Sequence, residues 1–373
     1  MKKLFVLSIL CFGCAILLSA EEYILKVNNN SADRVSNFPV VFKLAALGGS
    51  IHAENCRVQI FDAEAKEIPS QLDDMNLDGK ADETDEAAML ADLKPGENVF
   101  KVKLLPGRFP APQSAEKREL YLAAENGTVR IEQSKLKLQQ RLISRCNNGK
   151  YERIAGHFVQ ELNIDNSWKW TVRPEIRAMR VSSGAVRQII RFASVVENRE
   201  SGKQAEIIND MHIFSGRSEV FLRFQLTNIS KGQLLQPCRV NQGFYDTGIN
   251  GKVIISGDNF SGLGNKGETV SGSVAAGSYN YRNRSGKAPV WMNYFRSGVG
   301  GVGFAVNDLT HFDSCCIVYQ PQRKIMRFSW LYCPKNLVLW PGKSLDLHSW
   351  LVIGNGNAEA AAEFAKTLHS VSL

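Results

Sequence analysis

Apolar and polar residues alternate over short stretches along most of this chain, the period-two pattern of strands half-buried in a sheet. In residues 219–227, Val220, Leu222, Phe224 and Leu226 form one apolar face, and Phe221, Arg223, Gln225 and Thr227 point the other way. In residues 186–196, Arg187, Ile189 and Arg191 share a side, while Val186, Gln188, Ile190 and Phe192 share the opposite one. Residues 207–214 set Ile208, Asp210, His212 and Phe214 against Ile207, Asn209, Met211 and Ile213. Further strands are predicted at residues 23–27, 40–44, 57–61, 99–104, 119–123, 253–255, 301–306, 324–331 and 345–353, punctuated by Gly, Asn, Ser and Asp. Only residues 357–371 break the rule: Ala358, Ala361, Ala362, Phe364, Ala365 and Leu368 recur at helical spacing.

The predicted class is therefore all-β. A small N-terminal β-sandwich over residues 21–109 precedes a Pro-rich linker at 110–118. Residues 119–373 then suit one large antiparallel super-sandwich ending in a short helix. With 373 residues, 44% hydrophobic and 22% charged, the composition is globular and excludes disordered, collagen-like and coiled-coil classes.

Residues 1–20 are set apart as a signal peptide. Lys2 and Lys3 precede an apolar run from Leu4 to Leu18, and Ser19 and Ala20 supply a small-residue cleavage site. Cys14 offers a lipid anchor as the alternative, but Phe12 is bulky where such a signal wants a small residue. Export to the periplasm or outside the cell is the expectation. The segment carries two lysines and no acid, so its loss lowers the formal charge from +8 to +6. Six cysteines remain (Cys56, Cys146, Cys238, Cys315, Cys316 and Cys333), enough for three disulfides in an oxidising compartment or for buried thiols.

One loop carries sharp chemistry. Asp74, Asn76 and Asp78 alternate, Gly79 follows, and Lys80, Asp82 and Asp85 take the seventh, ninth and twelfth places of a calcium loop counted from Asp74. Side-chain oxygens and the Lys80 carbonyl would converge on a hard cation, giving a structural calcium site. Asp85 departs from the usual bidentate Glu, and a solvated acidic turn with Gly79 left-handed is the plainer alternative.

The run Ile68-Pro69-Ser70-Gln71-Leu72-Asp73-Asp74, the acidic loop, and Met89-Leu90-Ala91-Asp92-Leu93-Lys94-Pro95-Gly96-Glu97 resemble the N-terminal module of an uncharacterised family of secreted bacterial proteins. Ser183-Gly184-Ala185-Val186-Arg187, Phe214-Ser215-Gly216-Arg217-Ser218-Glu219-Val220, Gly301-Val302-Gly303-Phe304-Ala305-Val306, and Pro341-Gly342 before Trp350-Leu351-Val352 continue the similarity. The resemblance implies association with polysaccharide degradation and the super-sandwich of galactose mutarotase and many polysaccharide lyases. It carries no catalytic residues with it.

Alternation predicts that one sheet presents Arg187, Arg191, Arg223 and Gln225 together, with His212 and Asp210 near them. Guanidinium forks match carboxylates, which suits a uronate polysaccharide or oligosaccharide as ligand; outer-face solvation is the bland alternative. Tyr279, Tyr281, Arg282 and Arg284 lie in a Gly/Ser/Asn-rich loop suited to sugar stacking, whereas the tryptophans Trp168, Trp170, Trp291 and Trp330 are expected in the core. A lyase would take a proton on His212 or Tyr281, hold the carboxylate with Arg187, Arg191, Arg223, Gln225 or Arg284, and use Tyr245 as acid. The alternatives are a non-catalytic binding module, a glycoside hydrolase, or a mutarotase-like epimerase with a His and a carboxylate such as Asp210 in one cleft. Nothing in the sequence matches an HExxH zinc motif, a GxSxG elbow or a nucleotide fingerprint, and export disfavours a nucleic-acid partner.

Overall fold

The computed structural model describes residues 21–114, 120–135, 141–246, 251–255, 269–271, 279–282, 291–296, 300–306, 314–320, 325–332, 337–354 and 360–373. At 141 and 155–161, and in the strands between 238 and 332 other than 302–306, the description is of the backbone alone. The expected all-β class is observed, with one helix, Ala360–Ser370, near the C-terminus of the described chain.

Among the described residues, four antiparallel sheets account for the strands. A five-stranded sheet runs in the order Val371–Ser372, Glu21–Asn29, Gly96–Leu105, Arg57–Phe61 and Glu67–Ile68. It faces a three-stranded sheet of Val35–Lys43, Glu86–Leu93 and Ser70–Asp73. Leu25, Val27, Ile60, Phe100 and Val102 from the first meet Phe38, Val40, Phe42 and Met89 from the second in one apolar core. Each such burial contributes roughly 1.5–3 kcal/mol. Eight- and eleven-stranded sheets form the larger sandwich. Its core packs Leu122, Ile131 and Ile143 against Ile190, Phe192, Met211, Leu222, Phe224 and Leu347.

The centre of the eleven-stranded sheet is the run Arg177–Ser183, Arg187–Asn198, Gln204–Phe214, Glu219–Asn228 and Ser344–Gly354. Its register sets Arg191 opposite Asp210, Asp210 opposite Arg223, and Arg223 opposite His348. One face of these strands feeds the large core. The other receives the three-stranded sheet: Val186, Phe214 and Trp350 join the small core, where Ala361, Phe364, Ala365 and Leu368 of the helix pack too.

One element departs from its sequence pattern. Glu86–Leu93 reads Glu-Ala-Ala-Met-Leu-Ala-Asp-Leu, rich in helix formers, yet it is the central strand of its sheet. Pairing on both sides and nearly complete burial of Ala87, Ala88, Met89 and Ala91 override intrinsic preference. Cys56 and Cys146 are free thiols, so neither enters the disulfides that the cysteine count permits; burial pushes the Cys56 thiol up. The other four cysteines' side chains and residues 1–20 lie outside the description.

Candidate functional site: one polar face, part covered and part open

The arginine-bearing face exists as alternation predicts, and most of it is covered by protein. Arg187 is buried, with 1% of its surface exposed. Its Nε donates to Asp73 Oδ2 at 2.8 Å and its Nη2 to Glu86 Oε2 at 3.0 Å, both carboxylates belonging to the three-stranded sheet. Burial works against the guanidinium charge, but the two carboxylates outweigh it and hold the Arg187 pKa above its ordinary value. Arg187 Nη1 lies 2.8 Å from His212 Nδ1.

A guanidinium only donates, so Nδ1 accepts and the imidazole proton sits on Nε2. That nitrogen is buried and has no hydrogen-bond partner; the ring meets Phe221 edge-on at 5.1 Å. Burial first, and the Arg187 charge second, drive the His212 pKa well below the usual value. His212 is a neutral, sealed imidazole.

Arg191 is bound as firmly. Its Nε and Nη2 meet the two oxygens of Asp210 at 2.7 Å each, a bidentate pair, and Nη1 donates to the Met75 carbonyl at 2.7 Å. Met75 belongs to the acidic loop, which lies on the sheet: Met75 and Leu77 pack against Val181, Ile189 and Met179. Gln71 completes the clamp. Its Oε1 accepts from the Val186 and Arg187 amides at 3.2 and 3.1 Å, and its Nε2 donates to Ser182 Oγ at 2.8 Å. A Cβ on Gly184 would come within 2.0 Å of Gln71 Oε1, so the glycine is there for close approach.

These contacts correct the predicted roles. In this structure Arg187, Arg191 and His212 do not face a ligand; they are internal counter-charges that seat the small sandwich on the large one. Asp210 is likewise consumed by Arg191. Alternation identified the shared face, but nothing in it shows what lies on top.

Arg223 and Gln225 stand further along the same face and are half-buried. Arg223 meets Asp346 at 3.4 and 3.3 Å, looser than the Arg191–Asp210 pair; burial opposes its charge while Asp346 sustains it, and the net shift is upward. His348 is exposed, with its ring edge-on to Phe221 at 5.3 Å. Surrounding protein still lowers its pKa, with Asp346 opposing and Arg223 assisting, and solvent access limits that shift. Arg223, Asp346 and His348 thus combine a fixed cation, a carboxylate and a neutral imidazole open to solvent. Asp346 and His348 alternate with Leu345 and Leu347, a signal that reading this strand's faces would have found.

Tyr245 and Tyr281 lie on strands described only as backbone, and Arg284 lies outside the described residues. A groove of about 870 Å³ between residues 30–36, Arg217–Glu219 and the helix contains none of the predicted site residues.

The acidic loop keeps its own carboxylates occupied. Asp74 accepts from the Leu77 and Gly79 amides, Asp78 from Lys80, and Asp82 from Thr84. Asp85 accepts from the Met75 amide at 2.8 Å and the Asp82 amide at 3.0 Å. Burial pushes the Asp85 carboxyl up to about 7, with Asp82 and Asp74 adding to the rise. The oxygen-only donors suit a hard cation, but among the described residues no three acidic, His or Cys side chains converge as a bound metal requires.

A family model described as a domain of unknown function (DUF4861) matches residues 27–154, about a third of the chain. No curated protein matches. An α-mannosidase from Enterococcus faecalis V583 is similar over 95% of this chain and 45% of its own, at 9% identity and TM-score 0.54. A glycosyl hydrolase family 38 protein from Enterococcus faecalis is similar over 95% of this chain and 47% of its own, at 11% identity and TM-score 0.53. The chain thus spans less than half the length of either protein, and at these identities the likeness is one of fold. A galactose mutarotase-like protein from Lactobacillus casei ATCC 334 aligns over 62% of this chain at 8% identity, with a TM-score of 0.43, too low to add to that likeness.

Proposed function

We propose that this is an exported carbohydrate-active protein that takes an acidic, uronate-containing saccharide at Arg223, Asp346 and His348 and acts on it by lyase-type β-elimination. The observation that carries the reading is the survival of one open cation–carboxylate–imidazole group on an otherwise covered polar face. The fold likeness to an α-mannosidase and a family 38 glycosyl hydrolase supports the saccharide class. In the proposed reaction Arg223 holds the uronate carboxylate in place of its loose Asp346 pairing. Neutral His348 takes the proton beside that carboxylate. The electron pair left behind forms the ring double bond as the glycosidic carbon–oxygen bond breaks, and the departing oxygen takes a proton from solvent water, since Tyr245 and Tyr281 belong to strands of the eight-stranded sheet, across the large core from this face.

The test is incubation with pectic, alginate, ulvan and glycosaminoglycan substrates while following absorbance of the unsaturated product. Turnover that is lost in His348→Ala and Arg223→Ala is expected. Binding without new absorbance or reducing ends overturns the lyase and leaves a binding module. The placement of His348 beside Asp346, two residues apart on one strand face, favours a mutarotase-like second reading, tested by polarimetry on free sugars.

For the acidic loop we propose a structural calcium ion held by Asp74, Asn76, Asp78, the Lys80 carbonyl, Asp82 and Asp85, which would require the Asp78 and Asp82 carboxylates to turn inward. A bound cation would relieve the crowding of Asp85 by Asp74 and Asp82. Melting that rises with calcium occupancy is the expected result, and identical melting in calcium and chelator overturns it.

A further inference from the structure

The loop end of the large sandwich exposes apolar side chains that a folded protein ordinarily covers. Trp340 is 62% exposed and Trp168 51%, with Ile229, Leu234 and Val338 exposed beside them in sequence or across hydrogen-bonded turns. Trp168 is thus a correction to the expectation that it lies in the core, whereas Trp170 is half-buried and donates from Nε1 to the Ile164 carbonyl at 3.0 Å.

The turns that carry the two indoles are fastened to each other. Asp165 and Gln236 exchange hydrogen bonds at 2.8 Å each, and Lys203 Nζ donates to Asp165 Oδ2 and the Leu234 carbonyl, both at 2.9 Å. Leu235 and Leu339 pair reciprocally at 3.0 and 2.8 Å, while Gly342 donates to the Asn228 carbonyl at 2.7 Å. The indoles therefore stand on a preorganised base, so little ordering entropy is lost when something binds. Residues 165–169, 199–203, 229–236 and 338–343 carry five cations against two acids. Lys169–Glu200 and Lys203–Asp165 are paired, and Arg199, Lys231 and Lys343 supply the excess.

The geometry points to a second saccharide site: a platform on which Trp168 and Trp340 stack sugar rings of an anionic polysaccharide while the surrounding lysines and Arg199 meet its carboxylates. Indole faces pack against the C–H faces of sugar rings, and the cations select acidic chains over neutral ones. A protein partner would call for an apolar centre depleted of charge, but here the exposed apolar residues share their turns with Lys169, Lys231 and Lys343. The platform lies at the end of the strands Glu219–Asn228 and Ser344–Gly354 that also carry Arg223 and Asp346. At about 3.3 Å per residue, the five residues from Arg223 to the strand end at Asn228 span roughly 17 Å, so a chain held on the platform beyond that end can run onto the open polar group. The inference rests on the saccharide reading proposed above and adds where the polymer is held.

The experiment is affinity gel electrophoresis of the whole protein in polygalacturonate, alginate and neutral xylan, beside turnover of a short uronate oligosaccharide. Trp168→Ala/Trp340→Ala is expected to weaken retardation by acidic polymer by at least about tenfold, with oligosaccharide turnover unchanged and with Trp168→Phe/Trp340→Phe partly restoring binding. Wild-type retardation of the double alanine variant overturns the platform while oligosaccharide turnover keeps the saccharide reading standing. Equal retardation in xylan overturns the anionic selectivity. Sedimentation that shows a concentration-dependent dimer lost in the double variant, without polymer binding, makes the indoles a self-association surface and overturns the site. Wild-type protein that neither binds nor turns over any saccharide removes the functional reading itself.

Discussion

Arg187 and Arg223 project from the same face of the same sheet, two strands apart, and do opposite work. Arg187 is saturated by Asp73, Glu86 and His212 under the small sandwich, with its side chain wholly buried. Arg223 keeps one loose carboxylate and partial solvent. The difference lies in what covers each residue, since alternation puts both on the same face. A guanidinium under protein becomes structure, because an unpaired buried charge is intolerable; one at the rim stays available for exchange with a ligand.

Breaking the covered half gives the largest effect. Arg187→Met leaves Asp73 and Glu86 as uncompensated buried charges and is expected to destabilise by about 3–5 kcal/mol, read as a lower denaturant midpoint. A variant with wild-type stability would mean that the clamp is not formed in solution. Gly184→Ala acts on the same clamp by evicting the Gln71 amide, and should lower stability by about 1–3 kcal/mol through the unsatisfied groups left behind.

Acid sharpens the contrast between His212 and His348. The folded pKa of His212 lies below its unfolded value of about 6.5, so the unfolded state binds the extra proton. Stability from this group is complete above about pH 6.5 and is lost as pH falls toward the depressed folded value. His212→Gln, which keeps an acceptor for Arg187, should flatten the melting-temperature slope below that pH, whereas His348→Gln should alter it far less. An unchanged slope in His212→Gln would show that the imidazole is not sealed.

The open half is expected to affect function with little change in stability. Arg223→Ala and His348→Ala should abolish turnover while shifting stability by no more than about 1 kcal/mol, since the pair they disturb is loose and near solvent. Smallest of all, Lys26→Ala removes a well-exposed pair with Glu97 and should move the melting temperature within about 0.5 kcal/mol equivalent.

Much of this was legible in the chain. Period-two alternation located most long strands of the central sheet and put Arg187, Arg191, Arg223, Asp210 and His212 on one side; helical spacing found Ala360–Ser370. It missed Glu86–Leu93, whose alanines and methionine favour helix until two neighbouring strands pair with it. The sequence by itself determined which side chains share a face, because alternation is a local property of extended backbone. Only the tertiary structure decided which of them remain reachable. That depends on contacts across more than a hundred residues, Asp73 to Arg187 and Met75 to Arg191, formed when two sheets pack and bury whatever charge lies between them.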